Sequence, residues 1–63
     1  MSAEQAKSIA LKQVQGRVLH IDLDSDDGVI KYEVLIMTDK NQIYEVENNA
    51  STGAVIKVEQ DND

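Results

Sequence analysis

The hydrophobic period of this chain changes once, at Gly16, and that change limits the folds open to it. Before Gly16, the residues Ala3, Ala6, Ile9, Ala10 and Val14 recur at three- and four-residue spacing, an apolar stripe on one face of a helix. Ser2 followed by Gln5 has the S-x-x-Q form of a capping box. Glu4 in the first turn and Lys12 near the end suit the helix dipole. Gly16 is expected to stop the helix in a left-handed conformation, which only glycine adopts at little cost. After Gly16, apolar and polar residues alternate, the period of strands buried on one face.

Four strands follow. Leu19, Ile21 and Leu23 alternate with His20, Asp22 and Asp24 in the first, and Asp24 to Gly28 forms a turn cluster whose Asp-Gly pair is the strongest hairpin signal. Ile30 to Met37 reads as the second strand, Asp39-Lys40-Asn41 as a turn, and Ile43 to Glu47 as the third strand. Asn48 to Gly53 is a polar loop before a fourth, β-branched strand, Ala54 to Glu59. Short connections make sequential neighbours antiparallel. The expected fold is therefore α+β, with one N-terminal helix packed on a four-stranded antiparallel meander in two layers. Residues 1–60 form a single domain, with a frayed tail over 61–63. The expected core is Ala6, Ile9, Ala10, Val14, Leu19, Ile21, Leu23, Tyr32, Val34, Ile36, Tyr44, Val46, Ile56 and Val58. A single bulge would exchange faces along part of a strand.

Composition removes several functions. In 63 residues there is no cysteine, so neither a disulfide framework nor a thiolate metal site supplements the core. A formal charge of −6 has the wrong sign for gripping phosphates or anionic lipid, so no nucleic-acid partner is expected. No apolar run approaches the roughly 18 residues that cross a bilayer, so direct membrane insertion is not expected either. Met1-Ser2-Ala3-Glu4 leads straight into the helix without a signal peptide. The chain reads as cytoplasmic or as a mature domain cut from a longer precursor.

Asp22, Asp24, Asp26 and Glu33 fall in the register of an EF-hand calcium loop, yet the position that needs glycine is Asp27, and strands rather than helices flank the segment. An acidic hairpin turn fits better, with weak divalent binding at Asp24 to Asp27 left open. One histidine, His20, is too few for a multi-histidine metal site. His20 with Ser8, Ser25 or Ser51 and an aspartate supplies the residue types of a triad, but a fold this small offers little concave space to exclude water. Glu45 and Glu47 share a strand face, as do Asp22 and Asp24, and read as solvated charge. Gly16, Gly28 and Gly53 are isolated and form no phosphate-binding string. No catalytic residue, metal ligand or cofactor site is assigned.

The order of elements resembles the PepSY domain family, named for peptidase propeptides and a spore-germination protein. Ala6, Ile9, Ala10 and Leu11 are similar to its helix, Gly16-Arg17-Val18 to its "G-x-V" entry, and Tyr32-Glu33-Val34 to its "Y-E-V" strand. Tyr44-Glu45-Val46 resembles the following "Y-x-V", and Thr52-Gly53-Ala54-Val55-Ile56 the closing "T-G-x-V-L". The sequence departs from the pattern at Asn49, where aspartate is common, and at Lys40-Asn41, where a glycine-containing turn is usual. The resemblance implies a non-enzymatic, protein-binding domain, usually secreted or in the cell envelope. It would inhibit or regulate a peptidase, as in the propeptides of thermolysin-type metallopeptidases. A structural or sensor module that pairs with itself or with a tandem neighbour is the alternative.

The sheet face opposite the helix is the expected contact surface. Val18, Leu35, Met37, Ile43 and Val55 point there if the alternation holds, among Lys31, Glu33, Glu45, Lys57 and Glu59. An apolar cluster on such a face points to a protein partner or to a homodimer. The competing reading is scattered residues covered by long charged side chains.

Overall fold

The computed structural model describes residues 1–61. Helix α1 spans Ala3–Gln13, followed by strands β1 (Arg17–Asp26), β2 (Val29–Met37), β3 (Ile43–Asn49) and β4 (Val55–Asp61). The strands form one antiparallel sheet in the order β1-β2-β3-β4, with the helix on one face. This is the α+β fold expected. Strand β4 takes in Asp61, and residues 62 and 63 lie outside the described residues.

The capping box forms as its spacing predicts: the Gln5 backbone N–H donates to Ser2 Oγ at 3.2 Å, and the Ser2 N–H to Gln5 Oε1 at 2.8 Å. Ala6 and Ala10 are wholly buried, so the helix backbone lies close against the sheet, over Val34, Ile36 and Val46, which are also wholly buried. Leu11, Val14, Val18 and Ile21 pack around this centre.

Gly16 has a different role from the one expected. The helix ends at Gln13 with Val14 as an extended cap (φ −135°, ψ 116°), and the glycines with positive φ are Gly28 and Gly53. What Gly16 provides is close approach: a Cβ there would collide with the Met37 carbonyl oxygen and stand 3.0 Å from Ile36 Cγ2.

Two bulges move residues between faces. In β1, Val18 opposes Ile36 and His20 opposes Leu35, so Leu19 is the extra residue, 41% exposed rather than in the core. In β4, Lys57 opposes Glu47 and Val55 opposes Asn48, so Ile56 is the extra residue, also exposed. Leu23 and Val58 do share the helix face, opposite Tyr32 and Val46, but both are exposed because the helix does not reach them. Tyr32, Tyr44, Ile9 and Val14 are half-buried.

The loops are built on residues that suit their backbone conformations. Asp27 and Gly28 (φ 52° and 80°) form the two-residue turn of the first hairpin with the paired positive φ of a type I′ turn. Asn41 takes φ 61°, a conformation asparagine tolerates better than most residues. Asn49 Oδ1 accepts the backbone N–H groups of Ser51 at 2.8 Å and Thr52 at 3.0 Å, as an aspartate there would. Asn48, expected in this loop, is instead a fully buried strand residue whose Nδ2 donates to the Ala6 carbonyl at 3.2 Å. It ties the sheet to the helix across 42 positions of sequence.

Replacing Gly16 with alanine forces β1 and β2 apart and costs about 1–3 kcal/mol, the usual range for overpacking a filled site. Urea unfolding of Gly16→Ala against the parent measures it. An unchanged midpoint would show that the close approach carries no constraint.

Candidate functional site

The antiparallel register sorts the sheet into two faces, and the face away from α1 holds most of the strand charges. Across it, Asp22, Glu33, Glu47 and Lys57 stand side by side on successive strands. The neighbouring row is His20, Leu35, Glu45 and Glu59, and beyond it lie Arg17, Met37, Ile43 and Asp61. Three acidic pairs thus oppose each other directly: Asp22 with Glu33, Glu33 with Glu47, and Glu45 with Glu59. Like charges so placed oppose sheet formation.

Glu47 is the centre of this arrangement. It is only 5% exposed, although among the described residues no secondary element covers the face. Lys31 Nζ lies 3.0 Å from its Oε1 and Lys57 Nζ 3.6 Å from its Oε2, so two lysines arch over one carboxylate. Their aliphatic stems provide the shelter. The hydrogen bond from Lys31 holds the Glu47 carboxyl below its ordinary value of 4.5 despite the burial. The same bond raises the Lys31 ammonium. Lys57 is raised chiefly by Glu59, with which it makes a 3.2 Å pair.

Glu33 fares differently. One carboxylate oxygen from each of Glu33, Glu45 and Glu47 lies within 4.8 Å of the others. Lys31 approaches Glu33 only to 4.0 Å. Desolvation pushes the Glu33 carboxyl upward, and Glu45, Asp24 and Glu47 add to the shift. The three carboxylates form an ion-pair network with two lysines already in it, short of the six to eight oxygens calcium takes. At the hairpin tip, Asp22, Asp24 and Asp26 are exposed residues of an extended strand rather than of an encircling loop.

The expected contact residues divide between the faces. Leu35, Met37 and Ile43 are together on the outer face, half-buried, with Met37 directly opposite Ile43. Val18 and Val55 are not there: the bulges turn Val18 onto the core beside Ile36 and set Val55 opposite the buried Asn48. Glu47 is also a correction, since it is buried and paired rather than solvated. The available clue was the alternation itself, which put Lys31, Glu47 and Lys57 on neighbouring strands with one polarity of face.

A single helix on one side of a four-stranded meander defines an open-faced α+β domain, with the other sheet face uncovered among the described residues. The PepSY family, described as "Peptidase propeptide and YPEB domain", matches residues 1–59, and the chain belongs to it. It is 43% identical over 61 residues to the uncharacterized protein YkoJ of Bacillus subtilis strain 168; the match covers 97% of this chain and 36% of that protein. The chain therefore corresponds to about a third of its relative. No solved structure matches significantly.

The two glutamates give stability an uneven pH profile. Glu33, raised in the fold, binds its proton more readily folded than unfolded, so stability increases as pH falls from neutrality through its folded pKa. Glu47, lowered in the fold, contributes stability above the unfolded value near 4.5 that is lost as pH falls through its folded pKa. Denaturant midpoints measured from pH 8 to 3 should pass through a maximum in mild acid, and Glu33→Gln should remove the rise. A monotonic decline in the parent would contradict the assignment.

Proposed function

We propose that this domain is a non-catalytic protein-binding module that inhibits or regulates a secreted or cell-envelope peptidase, of the thermolysin type among metallopeptidases, by docking the outer face of its sheet. The observation that carries the reading is the uncovered face itself, where Leu35, Met37 and Ile43 form a half-buried apolar corner beside a field of carboxylates. Its family is described by peptidase propeptides, which supports a peptidase as the partner class. An apolar patch bordered by polar groups is the usual composition of a binding surface. The excess of carboxylates complements a basic patch and favours fast, oriented encounter.

Self-association through this face would place two acidic fields against each other, so a foreign partner with basic groups is the better fit. Leu35→Glu with Met37→Glu adds charge at the apolar corner and touches none of the buried core. The double variant should lose about 2 kcal/mol or more of binding, roughly thirtyfold in affinity. The measurement is inhibition of a purified thermolysin-type metallopeptidase, with circular dichroism showing a native fold. Inhibition equal to that of the parent would remove the outer face from the mechanism. Val18→Glu, which places a charge against the core, should instead unfold the domain.

A further inference from the structure

We propose that Asp27-Gly28, the turn of the first hairpin, is a self-modification site: the Gly28 nitrogen closes on the Asp27 side chain to a succinimide, which reopens to a β-linked isoaspartate, a substrate for carboxyl methylation. The inference is independent of the docking reading. The chemistry needs an aspartate or asparagine followed by a main-chain nitrogen that is neither crowded nor engaged. Glycine leaves its own nitrogen open because it has no Cβ, and nothing lies within 4 Å of the place a Cβ would take at Gly28. Both turn residues are exposed. In a turn of this kind the closing bond joins the flanking residues, here the paired Asp26 and Val29, and passes over the central amides. Among the described residues the Gly28 N–H accordingly makes no hydrogen bond.

Elsewhere the fold withholds one of these requirements. Asn49 Oδ1 is held by two backbone N–H groups at 2.8 and 3.0 Å, and the next nitrogen, that of Ala50, donates to the Ile30 carbonyl at 2.9 Å. Asn48 is buried, and the Asn49 N–H that follows it donates to the Ala54 carbonyl at 2.8 Å. After Asp39 and Asn41, the Lys40 and Gln42 N–H groups both donate to Thr38 Oγ1 at 3.3 Å. Asp22, Asp24 and Asp26 precede residues whose side chains crowd the nitrogen. Ring closure also needs the Asp27 carboxyl to swing over Gly28, and the hairpin tip has that freedom. Strand β3 pairs with β2 no further than Lys31, so the tip is a two-stranded ribbon that opens without unfolding the domain. In the first step a bond forms from Gly28 N to Asp27 Cγ, and the C–OH bond of the neutral carboxyl breaks. The hydroxyl leaves as water with the proton of the Gly28 amide. Water then adds to either carbonyl of the ring. Opening at Cγ restores aspartate, whereas opening at the Asp27 main-chain carbonyl leaves the chain running through the side chain and frees an α-carboxylate.

Isoaspartate lengthens the main chain by one methylene in a turn that admits only two residues of positive φ. Pairing of Asp26 with Val29 and of Ser25 with Ile30 therefore loosens, while the central strands keep their register. The test ages the full chain for several weeks at 37 °C and pH 6, folded in buffer and unfolded in guanidinium chloride. In the folded sample the expected result is a transient species lighter by one water, followed by an isomer of the parent mass. That isomer should accept one methyl group per chain from S-adenosylmethionine in the presence of an isoaspartyl methyltransferase, and peptide mapping should place the isoaspartate at residue 27. Amide exchange in the separated isomer should quicken severalfold at residues 25, 26, 29 and 30 and stay unchanged at Val34, Ile36 and Val46. Asp27→Gly, which keeps the positive φ, should abolish methyl acceptance. Isoaspartate formed only in the unfolded sample would show that the native turn protects the pair, and would overturn the proposal. So would its absence from both samples, or its distribution over Asp24, Asn49 and other positions of the folded chain.

Discussion

One eleven-residue helix has to close one face of a four-stranded sheet, and its width decides where everything else lies. A helix with its side chains is roughly 10 Å across, while four strands at about 4.8 Å spacing are distinctly wider. The helix can therefore seal only the central strands. The fully buried strand side chains are indeed on β2 and β3: Val34, Ile36, Val46 and Asn48. Ala6 and Ala10 make the contact intimate by bringing the helix backbone down to the sheet. Residues at the edges, such as Leu23 and Val58, face the right way and still remain in water. With so few large side chains buried, the domain depends on close fits like that at Gly16 and on specific ties like that from Asn48 to Ala6.

The same constraint leaves the second face bare, and its composition follows from being bare. An uncovered sheet face normally becomes polar, and here it is predominantly acidic with an apolar corner. Directly opposed acids would weaken the sheet, and the two lysines offset this by neutralising the most buried of them. Glu47 sits on an inner strand between Glu33 and Lys57, where a lysine from either side can reach it. The network centres on Glu47 and reaches Glu33 at its margin, where Lys31 stands 4.0 Å away.

Local signals in the sequence give the architecture and stop short of the faces. The Ser2–Gln5 box, the alanine stripe and the Asp27-Gly28 turn depend on neighbours in sequence, and each is found where its pattern places it. The five motifs that resemble the PepSY family agree with the match to residues 1–59. Of the five residues expected at the contact surface, Leu35, Met37 and Ile43 lie on strands whose alternation is uninterrupted. Val18 and Val55 each lie beside a bulge, and an extra residue inverts the assignment on its far side. A bulge is fixed by the pairing of two distant segments, and neither Leu19 nor Ile56 differs in type from an ordinary strand residue. Glu47 was hidden for a related reason, because the shelter of a charged side chain comes from Lys31 and Lys57 on other strands.

The bulges also bear on function, through what they do at the two edges. Both lie on edge strands, one in β1 and one in β4, where an unbroken row of backbone groups would invite a neighbouring chain to pair. The extra residue bends the strand and interrupts that row. Association by adding strands is thereby discouraged at both ends of the sheet, with Lys57 and Glu59 adding charge along β4. The outer face has no such protection. Among the described residues the sheet thus interrupts pairing at both edges and leaves its charged outer face uncovered.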